Sequence, residues 1–199
     1  MEAKNENHSM WKFRLTAATM TLIPAAVGIN YVAKAFAEGL KLPVWLGSLG
    51  TFLASMLAGP VAGAISGFIN NIIYGLPLSP ISTVYCLTSI GIGLAVGILY
   101  EKGYFDKASK VLPAALVIAL VSAVISTPLN VIFWGGQTGI AWGDALFAYM
   151  TAHHVSIWIA SFADEFVLDL LDKVIVAYLA YLIYKQMPKR LVFFFKGNR

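Results

Sequence analysis

From Val111 to Phe133 the chain runs for 23 residues without a charged side chain. At about 1.5 Å of rise per residue, a helix of that length crosses the roughly 30 Å hydrocarbon core of a bilayer. Other long apolar runs stand beside it, at 15–36, 45–75, 82–100 and 162–184. Lipid offers no partner to free backbone N–H and C=O groups, so an open sheet is excluded. A β-barrel needs alternating segments of about ten residues, whereas these runs are continuous. The sequence therefore predicts an all-α membrane protein, one domain of six transmembrane helices over residues 1–199. Composition agrees: 59% of residues are hydrophobic, 12% are charged, and the mean hydropathy is +0.75.

The predicted helices are set by punctuation. The first follows a polar, basic segment, 1–14, and its run of about 19 apolar residues exceeds a signal-peptide core. Gly59-Pro60 splits the next apolar block into two short helices, because proline cannot continue a helix from the preceding turn. The fourth covers Ser82–Tyr100 and the fifth Val111–Phe133, with Pro128 as a kink point. The sixth starts near Phe162 and ends before Pro188. The mixed segment 144–161 is expected to lie on, or dip into, the outer interface.

The cations orient this bundle. With six spans and a cytoplasmic start, eleven Lys and Arg residues fall inside and two, Lys34 and Lys41, outside. The positive-inside rule is then met with both termini cytoplasmic, including the basic tail 188–199. The cations thus report topology and give no sign of nucleic acid. The expected location is the cell membrane, multi-pass, with lipid as a partner.

Polar residues fall at one depth in this topology. Asn30, Trp45, Asn71, Tyr85, Asn130, Glu165 and Asp169 all lie in predicted outer halves. Polar groups are costly in lipid and tend to face a cavity or a partner. On the sixth helix, Glu165, Asp169, Asp172 and Lys173 fall within an arc of about 100°, and Asp164 points elsewhere. Asp169 and Lys173 are spaced for an ion pair, which Asp172 can share. Two readings stand: a structural ion cluster, or Glu165 and Asp169 facing a solute while Asp172 and Lys173 hold the face in place. Trp134, Gln137 and His154 complete the predicted solute-binding set, with aromatic walls suited to a flat organic ligand.

Two small-residue stripes stand out. Gly59, Gly63, Gly67, Asn71 and Gly75 recur every four residues and predict close helix packing. Ala17, Thr21 and Ala25 repeat the spacing on the first helix, either for internal packing or as a docking face for another membrane subunit.

The chain carries no phosphate-binding G-x-x-x-x-G-K-[ST], no H-E-x-x-H, no G-x-S-x-G and no C-x-x-C. Adjacent His153 and His154 diverge by about 100° on a helix, a poor metal pair. Cys86 reads as a buried thiol. Neither an enzyme, nor a metal, nor a cofactor is expected. A six-helix unit with an outward cavity and no energy source looks like part of a larger machine.

The stretches LTAATMTLIPAAVGINYVAKAF, GSLGTFLASMLAGPVAGAISGFINNIIYG and ADEFVLDLLDKVI resemble the substrate-binding S component of energy-coupling factor (ECF) transporters. The resemblance spans nearly the whole chain. It implies a vitamin-type ligand held in the outer half of the bundle. It also implies an Ala-x-x-x-Ala motif on the first helix that docks on a transmembrane scaffold subunit driven by two ATPases. Here Thr21 stands in the middle of that motif. Acids at the mouth favour a cation or hydrogen-bond donor, and aromatic and Asn side chains favour a planar heterocycle, such as a vitamin B6 form or a thiamine-type pyrimidine. A ligand-binding membrane sensor and a stand-alone small transporter are the competing readings.

Overall fold

The computed structural model describes residues 13, 15–77 and 80–196. The predicted N-terminal segment lies largely outside the described residues, as does the end of the predicted tail. The described residues fold into helices and connections only. The helices are α1 (Ala17–Gly39), α2 (Leu49–Ala58), α3 (Pro60–Gly75), α4 (Pro80–Val84), α5 (Cys86–Glu101), α6 (Ala108–Trp134), α7 (Ala141–Ala152), α8 (Ile157–Gln186) and α9 (Lys189–Lys196). Of these, α1 and α6 are long and apolar enough to cross a membrane. The charges on α8 keep it out of that class despite its 30 residues.

Local chemistry sets the boundaries. Thr16 and Thr19 close a reciprocal capping box at the start of α1. Gly59 adopts φ +94°, a conformation open to glycine, and Pro60 opens α3 with its fixed φ. The apolar block therefore splits where the sequence predicts. The fourth predicted helix is itself broken, into α4 and α5, at Tyr85. Its carbonyl accepts Asn71 Nδ2 (3.2 Å) as well as Ser89 N (3.1 Å). The first half of the segment 144–161 belongs to α7, which is closed by a turn in which His154 takes φ +61°, and its last five residues open α8. The last long helix starts at Ile157, five residues earlier than the apolar pattern indicates, and α9 follows Pro188 as a separate short helix.

The largest packed pairs are α6 with α8 and α3 with α5, and α2 sits between them, buried along its length. The small-residue stripe of α3 makes its contacts at short range: Gly63 faces Ser55, Gly67 faces Ser89 and Gly75 faces Thr83. Gly97 answers from α5. A Cβ there would lie 2.4 Å from Pro60 Cα, so the two backbones meet directly.

A dry core fills one end of the bundle, where Phe52, Met56, Val96, Phe105, Val111, Ile118 and Val176 pack together. Outside, large apolar side chains stay exposed on α1 (Met20, Val32, Phe36), α6 (Leu112, Leu120, Val124) and α8 (Val167, Leu171, Leu182).

Candidate functional site

At the other end the same helices diverge around a cavity of about 390 Å³. Its walls come from α1 (Lys34, Glu38), the α1–α2 connection (Val44, Trp45, Ser48), α3 (Asn70, Asn71), Ser82 and Tyr85, and α5 (Thr88, Ser89, Ile92). The remainder comes from α6 (Ser122, Ser126), the α6–α7 connection (Thr138, Gly139, Ile140) and α8 (Glu165, Asp169, Asp172, Lys173).

Helical spacing builds the charged wall. Glu165, Asp169 and Asp172 are separated by four and three residues, so they stack on one face of α8. Lys173 Nζ donates to Asp169 Oδ1 and to Asp172 Oδ2, each at 2.7 Å. Asp172 Oδ1 accepts the backbone N–H groups of Trp45 (3.1 Å) and Leu46 (2.8 Å). Asp172 is therefore fully committed. It clamps the α1–α2 connection, where Leu46 holds the left-handed φ of +52°. Glu165 Oε2 accepts Asn130 Nδ2 at 2.8 Å, and Asn130 Oδ1 accepts the Tyr85 hydroxyl. Ser122 stands beside Asp169 and Ser126 beside Glu165, and Ser126 and Thr88 share a hydrogen bond at 3.0 Å.

Not every polar atom is satisfied. Ser48 Oγ, Asn70 Oδ1 and Asp169 Oδ2 are buried on the cavity wall without a hydrogen bond. Buried polar groups are nearly always paired. Trp134 Nε1, Ser161 Oγ and Asp164 Oδ2 are unpaired away from the cavity, while these three come to it from three different elements. The wall combines them with apolar surface from Trp45, Val44 and Ile92. That is the mixture of a few placed polar groups among apolar ones that small-molecule sites use. Among the described residues no group of three His, Cys, Asp or Glu side chains is arranged to hold a metal ion.

Of the residues singled out from sequence, Trp45, Asn71, Tyr85, Glu165, Asp169, Asp172 and Lys173 meet at this cavity. Asn130 lies one layer behind, as the link between Tyr85 and Glu165. Trp134 neighbours the Tyr85 hydroxyl without lining the cavity. Asn30 lies elsewhere: its Oδ1 accepts Gly50 N (2.7 Å) and Thr51 N (3.2 Å), satisfying the free donors that open α2. Gln137 and His154 are exposed and away from the wall. Asp164 faces α7 and accepts the Thr138 hydroxyl at 3.2 Å. Ala17, Thr21 and Ala25 are exposed on one face of α1. A Cβ at Gly28 on the same side would meet nothing within 4 Å, so no described residue covers that face.

The sequence reading missed Lys34, Ser48, Ser82, Ser122 and Ser126 as wall residues. Ser122 and Ser126 are four apart, the one-face spacing that signals such a wall, but isolated serines in an apolar run seldom draw notice. Lys34, at the end of the first apolar run, is counted by the charge rule only as an outside cation, whereas its side chain turns into the cavity.

No protein-family model, curated protein or solved structure matches the chain.

Proposed function

We propose that this chain is the ligand-binding membrane subunit of an ECF-type importer. It takes up a vitamin or related small heterocycle and depends on a separate scaffold and two ATPases for energy. The observation that carries the reading is the cavity. It is a polar chamber at one end of an otherwise apolar bundle, with an excess of acid on α8 and three buried polar atoms awaiting partners.

In this reading α1, α2, α3, α5, α6 and α8 are the six passes. The exposed apolar side chains of α1, α6 and α8 meet lipid, where such surface costs nothing. The ten-residue α2 falls short of the hydrocarbon thickness, and its neighbours shield it on every side. The cavity end carries Lys34 and Lys41. Lys102, Lys107, Lys110, Lys185, Lys189, Arg190 and Lys196 lie toward the other end, which is the cytoplasmic one by the positive-inside rule. The uncovered small-residue face of α1 supports a scaffold docking there, since small residues let helices approach closely in lipid.

The test is thermal melting of the detergent-purified chain against vitamins and nucleobases, with Glu165→Gln and Asp169→Asn alongside. A ligand that binds only the folded state raises Tm by mass action. The expected result is a stabilising ligand whose effect both substitutions remove. A panel with no stabilising member sinks the reading, and a shift retained by both variants removes α8 from the site.

A further inference from the structure

The cavity that the α8 acids line is also lined by a group of opposite sign. Lys34 reaches the cavity from α1, with its side chain only 12% exposed. Its Nζ donates to Ser82 Oγ at 2.7 Å and lies 4.0 Å from the centre of the Tyr74 ring. Its nearest carboxylate oxygen, Glu38 Oε1, is 4.0 Å away on a half-exposed side chain whose other oxygen takes the Tyr74 hydroxyl. An ammonium has three N–H donors, and a shielded one with a neutral hydroxyl as its close partner is under-compensated. Lys173 differs, because two carboxylates at 2.7 Å compensate its charge. The cavity thus holds one lysine closely paired with acid and one whose close partner is a neutral hydroxyl.

The acids divide in the same way. Asp172 is spent on Lys173 and two backbone N–H groups. Asp169 keeps Oδ2 buried and unpaired on the wall, on a residue 2% exposed. Glu165 lies one turn away, its Oε2 on the neutral Asn130 amide. The same cavity is lined by Trp45 and Ile92, apolar surface for a ring or short chain, and by Asn70 with an unpaired Oδ1.

We infer that the cavity is built for a zwitterionic small molecule, with its cationic or N–H-rich end on Asp169 and Glu165 and its carboxylate or phosphate on Lys34. The inference rests on the reading of the cavity as a ligand site and narrows it: a simple cation leaves Lys34 with only Glu38 at 4.0 Å for a counter-charge, and a simple anion leaves Asp169 Oδ2 without a hydrogen bond. Charge-assisted hydrogen bonds at both ends add to affinity and fix the orientation of the ligand in the cavity.

Paired probes that differ by the anion alone test this on the full chain in detergent, by isothermal titration. The pairs are pyridoxamine with pyridoxamine 5′-phosphate, thiamine with thiamine monophosphate, and histamine with histidine. The expected result is a preference of about tenfold or more for the anionic member of at least one pair. A phosphate pair or the carboxylate pair, whichever responds, names the group. In Lys34→Met that ratio falls to about one, and in Lys34→Arg, which keeps the charge, most of it survives. Equal binding within every pair, or a preference that Lys34→Met leaves intact, overturns the inference while the ligand site stands. Binding by no probe, with other members of the vitamin panel still stabilising the chain, also overturns the inference alone. Failure of probes and panel together sinks the ligand site with it.

Discussion

The two ends of this bundle are built from the same helices and behave as different materials. On α5, Thr88 and Ser89 face the cavity, while Val96 and Leu99 lie in the dry core. On α6 the change falls between Ser122 and Ile118, and on α8 between Lys173 and Val176. Ile92 belongs to both regions and marks the boundary. Small residues bring helices into contact at both ends, as Gly97 does against Pro60 and Gly67 against Ser89. What differs is the side chains around them: apolar and packed at the dry end, polar and bonded sideways to one another at the cavity end. Substitutions at the two ends therefore fail in different ways.

The largest effect is expected at Asp172→Ala. It removes the acceptor of two backbone N–H groups and strips one carboxylate from buried Lys173. Breaking a buried pair from one side costs about 3–5 kcal/mol, so a marked loss of Tm in detergent is expected, with the α1–α2 connection released to proteases. A Tm near that of the parent chain breaks the view that polar bonds hold the cavity end. Next is Gly97→Val at the dry end, where the added side chain meets the backbone of α3. Overpacking of this kind costs about 1–3 kcal/mol, read as lower Tm. The smallest effect is at Ser48→Ala. Ser48 Oγ has no partner, so its removal should change stability by less than about 0.5 kcal/mol or raise it slightly. A clear loss there means that the chain itself uses this hydroxyl, and the contrast between the ends narrows.

Much of this arrangement is legible in the sequence, for reasons that differ by residue. The α2–α3 break is legible because Gly59-Pro60 forces it locally. The face shared by Glu165, Asp169, Asp172 and Lys173 is legible because helical spacing fixes it without knowledge of the neighbours. The break at Tyr85 is not, since it depends on Asn71 arriving from another helix. Asn30 shows the same limit from the other side. A buried Asn at the depth of the cavity looks like a wall residue until the start of α2 is seen to take both lone pairs of its Oδ1 and one Nδ2 donor. Lys34 was hidden by a rule that sorts cations by their side of the membrane and says nothing of how deep a side chain reaches.

Asp172 and Asn30 have one more consequence when taken together. Asp172 ties α8 to the backbone at Trp45 and Leu46, and four residues on, Asn30 ties Gly50 and Thr51 to α1. The short span between these two anchors is too brief to absorb much slack. The charged wall of α8 and helix α1 are therefore joined through one short stretch of backbone that side-chain hydrogen bonds hold at both ends.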